Sequence, residues 1–227
     1  MEITFTNVSG FVTDYLPVPA SQVIPDWYKN TESYLTGKKE PVMDMDNPGT
    51  IKRCMPVFDA ITAGYIIKTP VDIWVTQKDG KPFYQWKSTD GLSFHGIDQA
   101  PLHPLKNGAP FAKWLNPWSI KVPKGYSILF IQPMHRESVF TIMPGVVDSD
   151  EYTPPVNFPF ALNDVKFEGL IPAGTPMVQV IPFKRDSWEM KFGGEKEIKE
   201  QTGVHHRLRA LFFDAYKIKF RSPKEYK

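Results

Sequence analysis

The chain has 227 residues, with Lys+Arg 27 against Asp+Glu 25 and a formal net charge of +2. That length is enough for one well-buried core, and the near-balance of charge excludes a basic protein that coats nucleic acid. A hydrophobic share of 41%, with no apolar run of about 18 residues, excludes a helical membrane span, and 1 Cys excludes a disulfide framework. Pro 22 and an aromatic share of 14% point to short strands and many turns, because proline breaks helix interiors but is tolerated at strand ends and edges.

In chain order, Met1-Glu2-Ile3-Thr4-Phe5 lacks the basic start and apolar run of a signal peptide, so a cytoplasmic location is expected. Residues 1–50 read as an N-terminal arm and loop, the arm extended through Pro17, Pro19 and the aromatic anchor Ile24-Pro25-Asp26-Trp27-Tyr28, with a polar loop from Thr36 to Thr50. A core is expected over 51–190. Val71-Asp72-Ile73-Trp74-Val75 alternates as a half-buried strand does, and Asp79-Gly80 turns it into a hairpin with Phe83-Tyr84-Gln85-Trp86. Asp90 to Asn116 reads as a long irregular excursion. Strands are expected at Trp118 to Val122, Ser127 to Ile131, Phe140 to Met143, Val156 to Leu162 and Met177 to Phe183. From Glu195 to about Tyr216 there is no proline, and Val204, Leu208, Leu211, Phe212 and Ala215 recur at helical spacing, so 191–227 reads as one amphipathic helix and tail. The whole is expected to be a single, mainly β domain.

Four segments, in order, resemble the motifs of the dUTPase family. Ala63-Gly64-Tyr65-Ile66 resembles its Ala-Gly-Tyr-Asp, and Arg136-Glu137-Ser138 its Gly-Arg-Ser-Ser. Gly145-Val146-Val147-Asp148-Ser149-Asp150-Glu151-Tyr152 is similar to Gly-Val-Ile-Asp-Ser-Asp-Tyr, and the stretch from Ile171 to Val180 is similar to the glycine turn that leads into Ile-Ala-Gln-Leu. Ile24-Pro25-Asp26-Trp27-Tyr28, Arg53-Cys54-Met55-Pro56 and Pro144-Gly145-Val146-Val147-Asp148 more closely resemble a family of tailed phages and bacteria to which no activity is assigned.

The resemblance implies the dUTPase-like β-clip, a distorted antiparallel barrel shared with dCTP deaminases, here with an N-terminal arm and a C-terminal helix added. It also implies a homotrimer with ligand sites between subunits and, for a phage-encoded protein, the host cytoplasm. By that likeness Asp148 would orient water, Arg136 and Ser138 would receive phosphate oxygens, and Tyr152 would stack on a sugar. Asp150 and Gln179 would line the same site, with Mg²⁺ as the ion if a nucleotide is bound.

The substitutions within these motifs run against hydrolysis. Ile66 stands where the family has its metal-associated aspartate, Glu137 adds a negative charge beside the phosphate position, and Thr153-Pro154-Pro155 removes amide donors. Gly193-Gly194 is too little for the family's glycine-rich closing arm, and the deaminase glutamate is missing from Val156-Asn157-Phe158-Pro159-Phe160. A binding or assembly protein with a degenerate pocket, partnered by itself or by a phage protein, is the first expectation. A hydrolase or sensor of a phosphorylated small molecule or modified nucleotide is the alternative.

A third reading uses His95, Asp98, His103 and His135 as a two-histidine, one-carboxylate metal set. Adjacent His205-His206 cannot share a helix face, and Cys54 reads as a buried structural thiol. The basic C-terminus, with Arg207, Arg209, Lys217, Lys219, Arg221 and Lys224 among Phe212, Phe213, Tyr216, Phe220 and Tyr226, reads as a charged outer face; a nucleic-acid partner is not indicated.

Overall fold

The computed structural model describes residues 1–10, 14–35, 49–88, 91–96, 98–100, 102–105, 110–210 and 215–227, with backbone alone over 205–210 and at 215. Most of the expected loop from Thr36 to Thr50, parts of the 90–116 excursion, Leu211, Phe212 and Phe213, and the side chains of Leu208, Ala215, His205, His206, Arg207 and Arg209 lie outside the described residues. The chain falls into two compact units, Met1–Val23 with Ala63–Arg185 and Tyr226, and Ile24–Thr62 with Asp186–Glu225 and Lys227.

The first unit is mainly β, with fourteen strands among the described residues. In order they are β1 (Thr4–Asn7), β2 (Val18–Pro19), β3 (Tyr65–Lys68), β4 (Ile73–Lys78), β5 (Lys81–Gln85), β6 (Leu92–Phe94) and β7 (Ala112–Trp114). There follow β8 (Trp118–Lys121), β9 (Tyr126–Ile131), β10 (Phe140–Ile142), β11 (Gly145–Val147), β12 (Phe158–Leu162), β13 (Gly169–Ile171) and β14 (Pro176–Lys184). They form antiparallel sheets in the orders β1-β8, β10-β12-β7-β6, β11-β9-β14-β3-β2 and β13-β4-β5.

On β4 the alternation read from the sequence is the alternation of burial: Ile73 and Val75 are buried while Trp74 and Thr76 face outward. Side chains from all three larger sheets meet in one core. Trp114 stacks on Phe160 with ring centroids 4.9 Å apart, and Phe140 packs against both. The expected hairpin forms at Asp79-Gly80, whose φ values of 52° and 72° are those of a two-residue turn matched to strand twist.

The 90–116 stretch differs from its irregular reading. β6 pairs with β7 over Leu92↔Trp114 and Phe94↔Ala112, because Leu92, Ala112 and Trp114 are drawn into the core from sequence positions twenty apart.

The second unit carries the helices α1 (Asp26–Asn30), α2 (Met55–Thr62), α3 (Glu195–Ala210) and α4 (Ala215–Lys219). The anchor of the N-terminal arm is helical rather than extended. Pro25 sits at the N-cap and Asp26 in the first turn, where a fixed φ and a negative charge both favour a helix start. Tyr28, not Trp27, is its buried ring, packing 6.0 Å from Phe58 and donating its hydroxyl to the Lys52 carbonyl at 3.1 Å. Asp59 on α2 receives Arg221 Nη2 at 2.7 Å and Nε at 3.0 Å, with Lys224 Nζ at 2.9 Å. Two of the C-terminal cations are thus engaged in an internal clamp. On α3, Glu195 to Thr202 are all exposed, and of the apolar positions expected to form its face only Val204, which is half-buried, has a described side chain.

No helix among the described residues is long and apolar enough to cross a membrane.

Candidate functional site

The resemblance expects one site from these residues, and the register of β9 and β14 puts Gln179 at the far end of the ladder from Asp148 and Asp150. Gln179 pairs with Ile131 at one end of the ladder, and Lys184 with Tyr126 at the other. Five residue steps at about 3.4 Å put the ends about 17 Å apart.

At the Tyr126 end stand Asp148 and Asp150. The β11 strand pairs with β9 through Val147↔Ile128, which delivers Asp148 to the start of β9. Its Oδ1 accepts Ser127 Oγ at 2.6 Å and lies 3.1 Å from Arg185 Nη1. Asp150 Oδ1 accepts Arg185 Nη1 at 2.8 Å, Oδ2 accepts Arg185 Nη2, and the Gly125 amide donates to Oδ2 at 2.8 Å. The chain is held there twice, since the Arg185 amide also donates to the Gly125 carbonyl at 2.9 Å.

These contacts set the charges. The Asp148 carboxyl is held below its ordinary range, first by the Ser127 hydroxyl and then by Arg185. Asp150, its side chain 1% exposed, is lowered to about 2, chiefly by the Arg185 guanidinium and next by the Gly125 amide. Arg185 is raised in return by Asp150 and Asp148. A carboxylate that already accepts a hydroxyl and a guanidinium is a poor proton acceptor, because both donors stabilise its charged form.

The Ile131 end holds Gln179, Arg136 and Ser138. Gln179 is fully buried; its Oε1 accepts the Met134 amide at 2.9 Å and its Nε2 donates to the Ala63 carbonyl at 2.7 Å. It therefore ties the turn after β9 to the turn before β3. Ser138 Oγ accepts the Phe140 amide at 3.2 Å, a local bond that starts β10. Arg136 follows His135, whose φ is 55°, and donates Nη1 to the Val23 carbonyl. Its Nε and Nη2 are buried with no partner among the described residues. Burial lowers its pKa from the ordinary guanidinium value.

Tyr152 is 49% exposed and its amide donates to the Asp148 carbonyl at 2.8 Å, placing it with the first cluster. Asp148 and Asp150 thus share Arg185, with Tyr152 beside them, whereas Gln179, Ser138 and Arg136 bond separate partners, Met134 with Ala63, Phe140, and Val23.

The histidine reading fares differently. His95 Nδ1 bonds Gln99 Oε1 at 2.8 Å, and His103 Nδ1 accepts the Leu105 amide at 3.1 Å with its ring against Phe111. Asp98 and His135 complete no set with them: among the described residues no three His, Cys, Asp or Glu side chains are grouped to hold a metal ion. Nor do the motif residues suit Mg²⁺. Ile66 is fully buried in β3, between Val18 and Gln179, and the aspartates of the third motif, Asp148 and Asp150, are occupied by Arg185.

Arg185 and Ser127 escaped sequence reading. Each is an ordinary polar residue at a strand end, and only the β9–β14 register brings Arg185 to carboxylates 35 and 37 positions earlier. Comparison of the chain with protein-family models, curated proteins and solved structures found no match.

Proposed function

We propose that this chain is a binding or assembly protein on a dUTPase-like β-clip core, in which the residues of a nucleotide-hydrolysing pocket serve structure. One observation carries this reading: Arg185 engages both Asp148 and Asp150. A water-orienting base must be able to accept a proton, and a metal ligand must be free of a competing cation; this pair is neither. The trimer and the phage partner rest on the resemblance alone.

The test is a thermal-shift screen with nucleoside mono-, di- and triphosphates at millimolar concentration, with and without Mg²⁺. A ligand that binds only the native state raises the melting temperature by mass action, with ~2.7 kcal/mol gained at a hundredfold excess over Kd. We expect no Mg²⁺-dependent shift. A shift of several degrees that vanishes in Asp148→Ala refutes the reading and calls for a hydrolysis assay.

Arg136 favours a second reading, a sensor of a phosphorylated small molecule. Two buried guanidinium nitrogens with no partner among the described residues are what an anionic ligand would satisfy. It predicts a shift with inorganic triphosphate that survives Asp148→Ala and disappears in Arg136→Met.

A further inference from the structure

Between β14 and α3 the chain runs from residue 185 to 194 with no helix, turn or bend. Ser187-Trp188-Glu189-Met190-Lys191-Phe192 alternates, so in an extended backbone Trp188, Met190 and Phe192 share one face and Glu189 and Lys191 the other. Trp188 is 92%, Met190 82% and Phe192 90% exposed. Glu189 and Lys191 meet only each other, at 3.3 Å, with side chains 79% and 75% exposed. Residues 187–192 make no backbone hydrogen bond to any described residue. A stretch outside helix, turn and bend, with open amides and carbonyls and three large apolar side chains in water, is free to take the extended form and is then a template for strand pairing.

We propose that this segment pairs antiparallel with the same segment of a second copy, about a two-fold axis through Met190. The sequence reads as a chemical palindrome around that residue. In this register Trp188 faces Phe192 of the second copy, Glu189 faces Lys191, and Met190 faces itself, each unlike pair occurring twice by symmetry. Aromatic and opposite-charge pairs are the cross-strand partners that stabilise an antiparallel ladder. A parallel, in-register pairing sets Glu189 on Glu189 and Lys191 on Lys191, and a one-residue slip places apolar side chains opposite charged ones, so both are disfavoured. Six large side chains present roughly 1,000 Å² of apolar surface, of which side-by-side contact removes a part. That is the scale of a weak, concentration-dependent association rather than an obligate dimer.

Sedimentation equilibrium of the full chain, from about 1 to about 100 μM, spans the relevant range of Kd. The expected result is a mass doubling that Lys191→Glu weakens about tenfold, because two attractive pairs become repulsive. The double variant Glu189→Lys/Lys191→Glu restores it to within about twofold, since the pairs are rebuilt with signs exchanged. Both positions are exposed, so neither change tests folding, and the doubling is read on whatever assembly the core itself forms. In a Cys54→Ser background, Met190→Cys forms a disulfide-linked dimer on mild oxidation, whereas Phe192→Cys, whose partner is Trp188, does so far less. Self-association equal in the wild type and Lys191→Glu, or not rescued by the double variant, overturns the proposal. So does the absence of the Met190→Cys cross-link. Co-sedimentation of a monomer with anionic lipid vesicles, lost in Trp188→Ser, overturns it in favour of a membrane surface.

Discussion

Gly64 is the position where one added carbon meets the least yielding surroundings. It precedes β3 with φ of 66°, and a Cβ built there lies 2.0 Å from the Val180 carbonyl oxygen and 2.9 Å from its carbon. Val180 is fully buried in the middle of β14, paired to Tyr65 on one side and Phe130 on the other, so the obstructing atoms are backbone in a two-sided ladder. Gly64→Ala therefore pays the left-handed strain of an L-residue, about 1–2 kcal/mol, and an overpacking cost at or above the upper part of the about 1–3 kcal/mol range. The sum is about 3–5 kcal/mol. For a chain of this size that lowers Tm by about 10–15 °C. Gly80→Ala is the internal control: its φ of 72° is similar, but nothing lies within 4 Å of the added Cβ, so only the strain of about 1–2 kcal/mol remains. Urea unfolding of the two variants, read as a change in midpoint at constant slope, measures the difference. Equal losses in Gly64→Ala and Gly80→Ala would mean that β14 does not pass against this turn, and the placement of the first motif would be wrong.

Acid should weaken the first unit through the Arg185 cluster. Asp150 and Asp148 have folded pKa values below the 3.8 of the free side chain, so the stability they confer is complete above about pH 4 to 5 and drains away as pH falls toward about 2. Circular dichroism melts from pH 7 to 2 should show that decline, and Arg185→Ala should flatten it; an equally steep decline in the variant refutes the assignment. Arg136→Met should raise Tm or leave it unchanged in the absence of anions, because it removes a buried guanidinium with two unpaired nitrogens; a clear fall would mean a partner is already present. In the second unit, Asp59→Ala should free the segment after α4, read as faster hydrogen exchange at the Phe220 and Arg221 amides, which donate to the Tyr216 carbonyl. Unchanged exchange there would show that the Arg221 and Lys224 clamp does not hold the tail.

How much could be read before folding depends on the range of the forces involved. The β4–β5 hairpin was legible because turn chemistry at Asp79-Gly80 and alternation on both arms act within a dozen residues. β9 and β14 were legible because their apolar runs exceed what a loop tolerates. β6 and β7 were not, since strands of three residues carry no periodicity, and Trp114 is buried by Phe140 and Phe160 from elsewhere in the chain. The helix α1 was hidden by the same Pro25 that starts it, read as a mark of extended chain when it occupies the N-cap. Among the site residues, motif order pointed to Asp148, Asp150, Arg136, Ser138, Tyr152 and Gln179 as a ligand site, and the structure gives Asp148, Asp150 and Gln179 bonds that tie turns to strands. Their partners were beyond reach, because Ser127, Arg185, Met134 and Ala63 become neighbours only through the register of four strands.

That register also bears on what the motif residues can do. A single β9–β14 ladder has Asp148 and Asp150 beside one end and Gln179 at the other, about 17 Å apart by strand rise. At the first end both carboxylates are held by Arg185, which suits neither to take a proton from water. Each end nevertheless does work that the fold requires. Arg185 neutralises two carboxylates and fastens β14 to the turn before β9, and Gln179 bridges the turns that lead out of β9 and into β3. Such structural duties account for these residues without calling on a ligand. Arg136 is the exception, because two of its buried nitrogens have no partner among the described residues and its one bond there is to the Val23 carbonyl. If any ligand-binding role persists in these motifs, the uncompensated charge of Arg136 is where it is written.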